Sequence, residues 1–147
     1  MTQLTEHFTL EEFTLSQTAA RKGISNTPSE HDLKNIQRIA ETMEKVRTIL
    51  DDHPIIISSG YRNAKVNKAV GGAKSSAHMH GLAVDFTCPS FGRPIDVCET
   101  LAPHMESLGI DQLIHEYNTW IHLGLSATDP RYMAMTIDKI GVRPGFV

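Results

Sequence analysis

The chain has 147 residues, enough for one domain with one hydrophobic core, and the whole of 1–147 is expected to form it. Its apolar content of 40% and charged content of 21% are ordinary for a globular protein, and a net charge of -3 leaves no basic footprint for nucleic acid. No apolar run approaches the roughly 20 residues of a membrane span. The N-terminus, Met1-Thr2-Gln3-Leu4-Thr5-Glu6-His7, has no basic start followed by an apolar stretch, so synthesis in the cytoplasm without a signal peptide is expected. Cys88 and Cys98 fall in no CxxC or zinc-ribbon spacing, and reduced thiols are the expectation for such a chain.

In chain order, Thr9-Leu10-Glu11-Glu12 reads as a capping box that opens a short helix to about Arg21, with Gly23 as its stop. Phe8 and Phe13 flank the start as a hydrophobic staple. Asn26-Thr27-Pro28-Ser29-Glu30 repeats the device, with Thr27 as cap and Pro28 in the first helical position. Leu33, Ile36, Ala40, Met43, Val46 and Leu50 then recur at steps of three and four, one apolar face of a long helix. His53-Pro54 ends it. Ile55-Ile56-Ile57-Ser58 reads as a buried β-branched strand, broken by Ser59-Gly60-Tyr61-Arg62.

Asn63 to Val70 forms a short helix stopped by Gly71-Gly72, and 73–76 is loop. Leu82 to Phe86 alternates and is a strand. Pro94 opens a helix that Pro103 kinks or shortens and Gly109 closes. Ile110–Tyr117 and Trp120–Leu125 are two strands joined by a tight turn, and Tyr132 to Ile137 is an edge strand. The last ten residues carry no strong signal. Helices followed by a short sheet suggest an α+β fold, with a small mainly antiparallel sheet and helices packed on one side. The lack of regular βα alternation and of a Gly-rich phosphate loop argues against a doubly wound fold.

The chemistry concentrates in Ser75-Ser76-Ala77-His78-Met79-His80-Gly81-Leu82-Ala83-Val84-Asp85. His78 and Asp85 are good zinc ligands, and a catalytic zinc usually takes three protein ligands and one water. His122 is the best third donor, with His80 as the competitor of His78. Trp120 and His122 are two apart and share a strand face. Glu116 joins that face if 117–119 is a three-residue turn, and leaves it if the turn is the two residues Asn118-Thr119. This pattern points to metal-assisted hydrolysis: an ion on His78, Asp85 and His122, Glu116 as general base with His115 its competitor, Arg62 and Ser76 as anchors for a carboxylate or oxyanion, and Trp120 as the cleft wall.

Ser59-Gly60-Tyr61-Arg62, Asn67 with Gly71-Gly72, Ser76-x-His78-x-x-Gly81-x-Ala83-x-Asp85 and Trp120-x-His122 together resemble the M15 zinc peptidases. These are D-alanyl-D-alanine carboxypeptidases, dipeptidases and L-alanyl-D-glutamate endopeptidases of peptidoglycan stem peptides, phage endolysins among them. The resemblance runs from about Phe8 to Leu123. It implies zinc on His78, Asp85 and His122, Glu116 as base, Arg62 and Ser76 as substrate anchors, and the small α+β fold shared with the hedgehog signalling domain. In several relatives the catalytic glutamate lies three residues before the last histidine; here Thr119 stands at that position and Glu116 lies six before His122. A compact chain with no signal peptide fits a phage or prophage enzyme that reaches the cell wall through host lysis and equally a bacterial cytoplasmic dipeptidase, and a monomer is expected in either case. The competing class is a zinc-stabilised binding module without turnover, which would need no carboxylate beside the metal.

Overall fold

In the computed structural model, which describes residues 2–147, the N-terminal third is helical. Helix α1 (Leu10–Thr14) opens on the expected capping box: Thr9 accepts from the Glu12 amide while the Glu12 carboxylate accepts from the Thr9 amide. Phe8 and Phe13 close the staple with ring centroids 5.9 Å apart, both buried. The single helix expected to Arg21 is two. The chain is extended at Leu15 and Ser16, and Ser16 caps a second helix, α2 (Gln17–Lys22), by accepting from the Ala19 amide. Serine competes for backbone donors in this way and so favours caps over helix interiors. Gly23 ends α2 in the left-handed conformation.

The long helix α3 (Glu30–Ile49) starts two residues later than the sequence suggested. Ser29, not Thr27, is its cap and accepts from the Asp32 amide. Its apolar face is the expected one, with Ile36, Ala40, Met43, Val46 and Leu50 fully buried and Ile39 added to them. Strand β1 (Ile56–Ser59) and helix α4 (Ala64–Ala69, capped by Asn63) follow, then a 3₁₀ turn (Ala77–His80) and β2 (Ala83–Thr87). Next come α5 (Pro94–Leu101), which gives way at Pro103 to a 3₁₀ turn, α6 (Met105–Leu108), β3 (Gln112–Glu116), β4 (Trp120–Gly124), β5 (Met133–Asp138) and β6 (Gly141–Pro144).

The six strands form one sheet in the order β1-β2-β4-β3-β5-β6, antiparallel throughout except for the parallel pair β3–β5. Two strand expectations are corrected. β1 is an edge strand, not a buried one: Ile56 is 56% exposed, because only β2 pairs with it. β5 is interior, because residues without a strong sequence signal form β6 and cover its outer side. One face of the sheet carries Val84, Phe86, Leu113, Ile121 and Leu123, which pack with α3 and α5 in a single core. Cys88 and Cys98 are buried and unpaired. No helix among the described residues is long and apolar enough to cross a membrane.

The parallel pairing of β3 and β5 needs a return path. Gly124 at the end of β4 and Met133 at the start of β5 flank Gln112 on opposite sides, so the connection 125–132 passes around the beginning of β3. Asp111 stands at that corner, only 7% exposed. Its carboxylate accepts from the Arg131 amide (2.8 Å), Nε (3.0 Å) and Nη2 (2.7 Å), and its own carbonyl accepts from the Met133 amide. Hydrogen bonds from Arg131 hold the Asp111 carboxyl below the usual carboxylate range, against the opposing effect of burial.

A carboxylate with a lowered pKa stabilises the fold above the unfolded-state value near 3.9, and that contribution is lost as pH falls through the folded value. Asp111→Asn is therefore expected to cost about 1–2 kcal/mol at neutral pH, the scale of a broken charge-assisted network. The gap between wild type and variant in chemical denaturation should close as the pH is lowered below 3.9. A gap that stays constant from neutral pH to acid would show that the Arg131 pairing does not stabilise the return loop.

Candidate metal centre

Strand register decides which side chains leave the core. Asp85 pairs with His122, Ile114 with His122, and Glu116 with Trp120. Directly paired residues project to one face, so Asp85, Ile114, Glu116, Trp120 and His122 share the side of the sheet opposite the core. The β3–β4 connection is the three-residue turn 117–119. Thr119 donates its amide to the Glu116 carbonyl, and Tyr117 and Asn118 take the left-handed conformation, with φ 51° and 52°. The geometry that metal-assisted hydrolysis requires is the one adopted. His115 points the other way, into the interior, with Nε2 3.2 Å from Asn118 Oδ1, so it does not face Glu116's side of the sheet.

His78 arrives from outside the sheet, on the 3₁₀ turn before β2. Two close approaches fix that turn. Gly81 ends it at φ 73°, and a Cβ there would sit 2.8 Å from Ile36 Cγ1 and 2.9 Å from the Asp32 carbonyl, so only glycine lets the turn rest against α3. Asn35 Nδ2 also donates to the His80 carbonyl at 2.8 Å. His80 itself is exposed and lies outside the cluster of ligand atoms, which leaves His78 without its competitor.

Within the cluster, ligand atoms of His78, Asp85 and His122 lie within 4.8 Å of one another. The two imidazole rings meet edge to face with centroids 5.1 Å apart. His78 Nδ1 lies 2.7 Å from the Gly60 carbonyl, which can only accept, so Nδ1 carries the hydrogen. That leaves Nε2 as the nitrogen turned toward the cluster, 3.4 Å from Asp85 Oδ1. His122 Nδ1 is 2.9 Å from the same oxygen and 4.0 Å from Glu116 Oε1. Electron-rich atoms converging on one point, two imidazole nitrogens and a carboxylate oxygen, suit a borderline-soft divalent cation such as zinc. The Gly60 carbonyl fixes the tautomer, as outer partners of metal-bound histidines do.

Burial opposes ionisation of Asp85, but hydrogen bonds from His122 and His78 outweigh it and hold the carboxyl far below the usual range. Glu116 moves the other way: burial raises its pKa, and the neighbouring Asp85 charge adds to the rise while His122 and Arg62 oppose it. Two carboxylates on one face are thus pushed apart, one fixed as an anion and one with greater proton affinity.

Arg62 and Ser76 meet at the rim. Arg62 Nη2 donates to Ser76 Oγ at 3.2 Å, and the Arg62 amide donates to the His78 carbonyl. The Ser76 hydroxyl also accepts from the His78 amide, so its own proton remains free to donate. Arg62 Nε is buried without a protein partner. Trp120 is half-buried on the Glu116 side, tilted against Tyr117 at 5.6 Å between centroids. A cleft of about 480 Å³ runs over this face, with Ser76 and Ala77 on one side, His122 in its floor and Met135, Ile137 and Val142 on the other. All seven residues singled out from the sequence thus lie on or around one face. What the sequence reading missed is Gly60, whose carbonyl orients His78, and the β5–β6 wall; the Ser-Gly-Tyr-Arg break was the signal for the first.

Comparison with known proteins agrees with this geometry. Residues 6–124 match the family described as peptidase M15. Over 50 residues the chain is 38% identical to the zinc D-Ala-D-Ala carboxypeptidase of Streptomyces albus G, a stretch covering 34% of this chain and 20% of that protein. The chain therefore aligns with about a fifth of that relative's length.

The Gly60 carbonyl gives a test that leaves every candidate ligand in place. A Cβ on Gly60 would sit 2.5 Å from the Phe13 carbonyl oxygen, so Gly60→Ala must shift the backbone that orients His78. Zinc affinity measured by competition with a chromophoric chelator is expected to fall about 10–100-fold, the usual cost of losing an outer partner. His122→Ala should abolish stoichiometric binding. Retention of wild-type affinity in both variants would place the cation elsewhere.

Proposed function

This chain belongs to the peptidase M15 family, and from that membership we propose that it is a zinc peptidase that hydrolyses peptidoglycan stem peptides. The cleavage is of the D-Ala-D-Ala carboxypeptidase or the L-Ala-D-Glu endopeptidase type. The observation that carries the reading is the carboxylate of Glu116, on the same sheet face as His78, Asp85 and His122 and 4.0 Å from the nearer imidazole. A zinc-stabilised module without turnover has no use for a second half-buried carboxylate there.

In this reading His78, Asp85 and His122 hold the ion. Bound there, zinc supplies a Lewis acid for the scissile carbonyl and lowers the pKa of a coordinated water toward ~7. Glu116 accepts the proton of the attacking water on its carboxylate and delivers it to the nitrogen of the departing amine, so the C–N bond breaks as an acid and an amine form. Arg62 and the free Ser76 proton bind a substrate carboxylate, the two already joined by the bond from Arg62 Nη2 to Ser76 Oγ. Trp120 shields Glu116 from bulk water on the turn side. A free carboxylate beyond the scissile bond is common to both peptide types, so Arg62 fits either. The wall-lytic setting, with synthesis in the cytoplasm and release by host lysis in a phage or prophage, is part of the same proposal, as is action as a monomer.

Mass spectrometry of fragments released from a defined muropeptide tests the reaction and identifies the bond. Glu116→Gln should keep one zinc per chain and lose about 10²–10⁴ of the wild-type rate, the usual contribution of a positioned general base. If the wild type with full zinc content releases no new amino or carboxyl ends, the binding-module reading replaces this one.

A further inference from the structure

We infer that the C-terminal hairpin β5–β6 is an apolar subsite, which receives an aliphatic side chain, or the methylene stem of a longer one, on the far side of the scissile bond from Arg62. The inference rests on the peptidase reading and adds a selectivity to it. Register supplies the first observation. Ile114 pairs with Met135, Glu116 with Ile137, and Ile137 with Val142, so Met135, Ile137 and Val142 project from the same face as Glu116 and His122. They line the same cleft as Ser76 and His122. The apolar wall is therefore continuous with the metal centre.

The second observation is how the hairpin distributes its polarity. Thr136, Asp138 and Arg143 occupy the opposite face, where Asp138 and Arg143 pair with each other and buried Thr136 donates to the Gly145 carbonyl. An exposed hairpin ordinarily turns its charges to the solvent and its apolar residues to the core. Here the charges are turned away from the cleft, and Val142 stands 65% exposed on the cleft side. Folding alone gives no reason for that arrangement. Methionine at 135 adapts its shape to varied aliphatic groups.

Position sets the third. β5 lies two strand spacings from β4, roughly 10 Å from the strand of His122, while β1, which delivers Arg62, lies on the other side of β4. A peptide with its carboxylate at Arg62 and its scissile bond over the metal covers about 3–7 Å of that distance in one or two residues toward its amino end, and the side chain of the second spans the rest to the hairpin. The hairpin also lies outside residues 6–124, so this selectivity belongs to the chain's own C-terminal segment.

The test uses two peptides, acetyl-norvalyl-D-alanyl-D-alanine and acetyl-aspartyl-D-alanyl-D-alanine, with the zinc-loaded full chain. Two measurements are made: kcat/KM by the wild type, and calorimetric affinity in the Glu116→Gln background. The norvalyl peptide should be favoured about tenfold or more in both. Val142→Lys, a residue edge strands carry readily, should lower that ratio at least fivefold or invert it, with zinc content unchanged. Met135→Ser provides a second variant, expected to lower the ratio through lost apolar contact without introducing charge. If the wild type cuts neither peptide, the carboxypeptidase form of the proposed function fails, and the binding ratio still decides the subsite. Equal affinity for both peptides, or a ratio that neither substitution moves, overturns the inference.

Discussion

A single carboxylate, that of Asp85, ties the site to the fold. It stands directly across the ladder from His122, accepts from that ring at 2.9 Å, and faces His78 at 3.4 Å. Burying it would cost several kcal/mol without partners. Two imidazoles and, in the holoprotein, a cation supply them. Every other element of the site can be described by how it keeps those partners in place: β4 holds His122 by register, Gly60 holds the tautomer of His78, and α3 holds the turn on which His78 rides. A shift of one residue in the β2–β4 register would send His122 into the core and leave the carboxylate with His78 alone.

The same logic explains what could be read from the chain. The apolar period of α3, the capping box at Thr9, the Pro103 break and the Gly23 and Gly109 stops are local signals, and local signals survive into the structure. The boundaries that moved did so where two residues competed for one cap, as Ser29 did with Thr27 and Ser16 did with an uninterrupted helix. The edge status of β1 and the interior status of β5 depend on which strand lies beside which. That is a long-range property, and no window of sequence contains it. β6 has the weakest pattern, because its apolar Val142 faces the cleft instead of the core.

Glu116 was legible in a different way. Spacing alone left two turns open, and the choice between them was a choice of face. The left-handed pair Tyr117-Asn118 selects the three-residue turn. Asparagine tolerates that conformation well and tyrosine poorly. The chain accepts a bulky residue at positive φ directly after Glu116, and Tyr117 recovers some of the cost against Trp120. Strain of this kind persists where surrounding structure over-determines it. Here the determinants are the β4 ladder on one side and, on the other, the bond from the Tyr117 amide to the Ile137 carbonyl.

That last bond gives the C-terminal segment a second role. β3 ends at Glu116, and a strand end held on one side only would fray. β5 pairs with β3 through all five of its residues, from Gln112 to Glu116, and continues into the turn through Ile137. The hairpin that walls the cleft is therefore also what makes β3 interior and its terminal carboxylate stationary. A family match that ends at residue 124 contains Glu116 but not its support. Selectivity and rigidity of the base are coupled in this chain through one pair of strands, anchored at the far corner by Asp111 and Arg131.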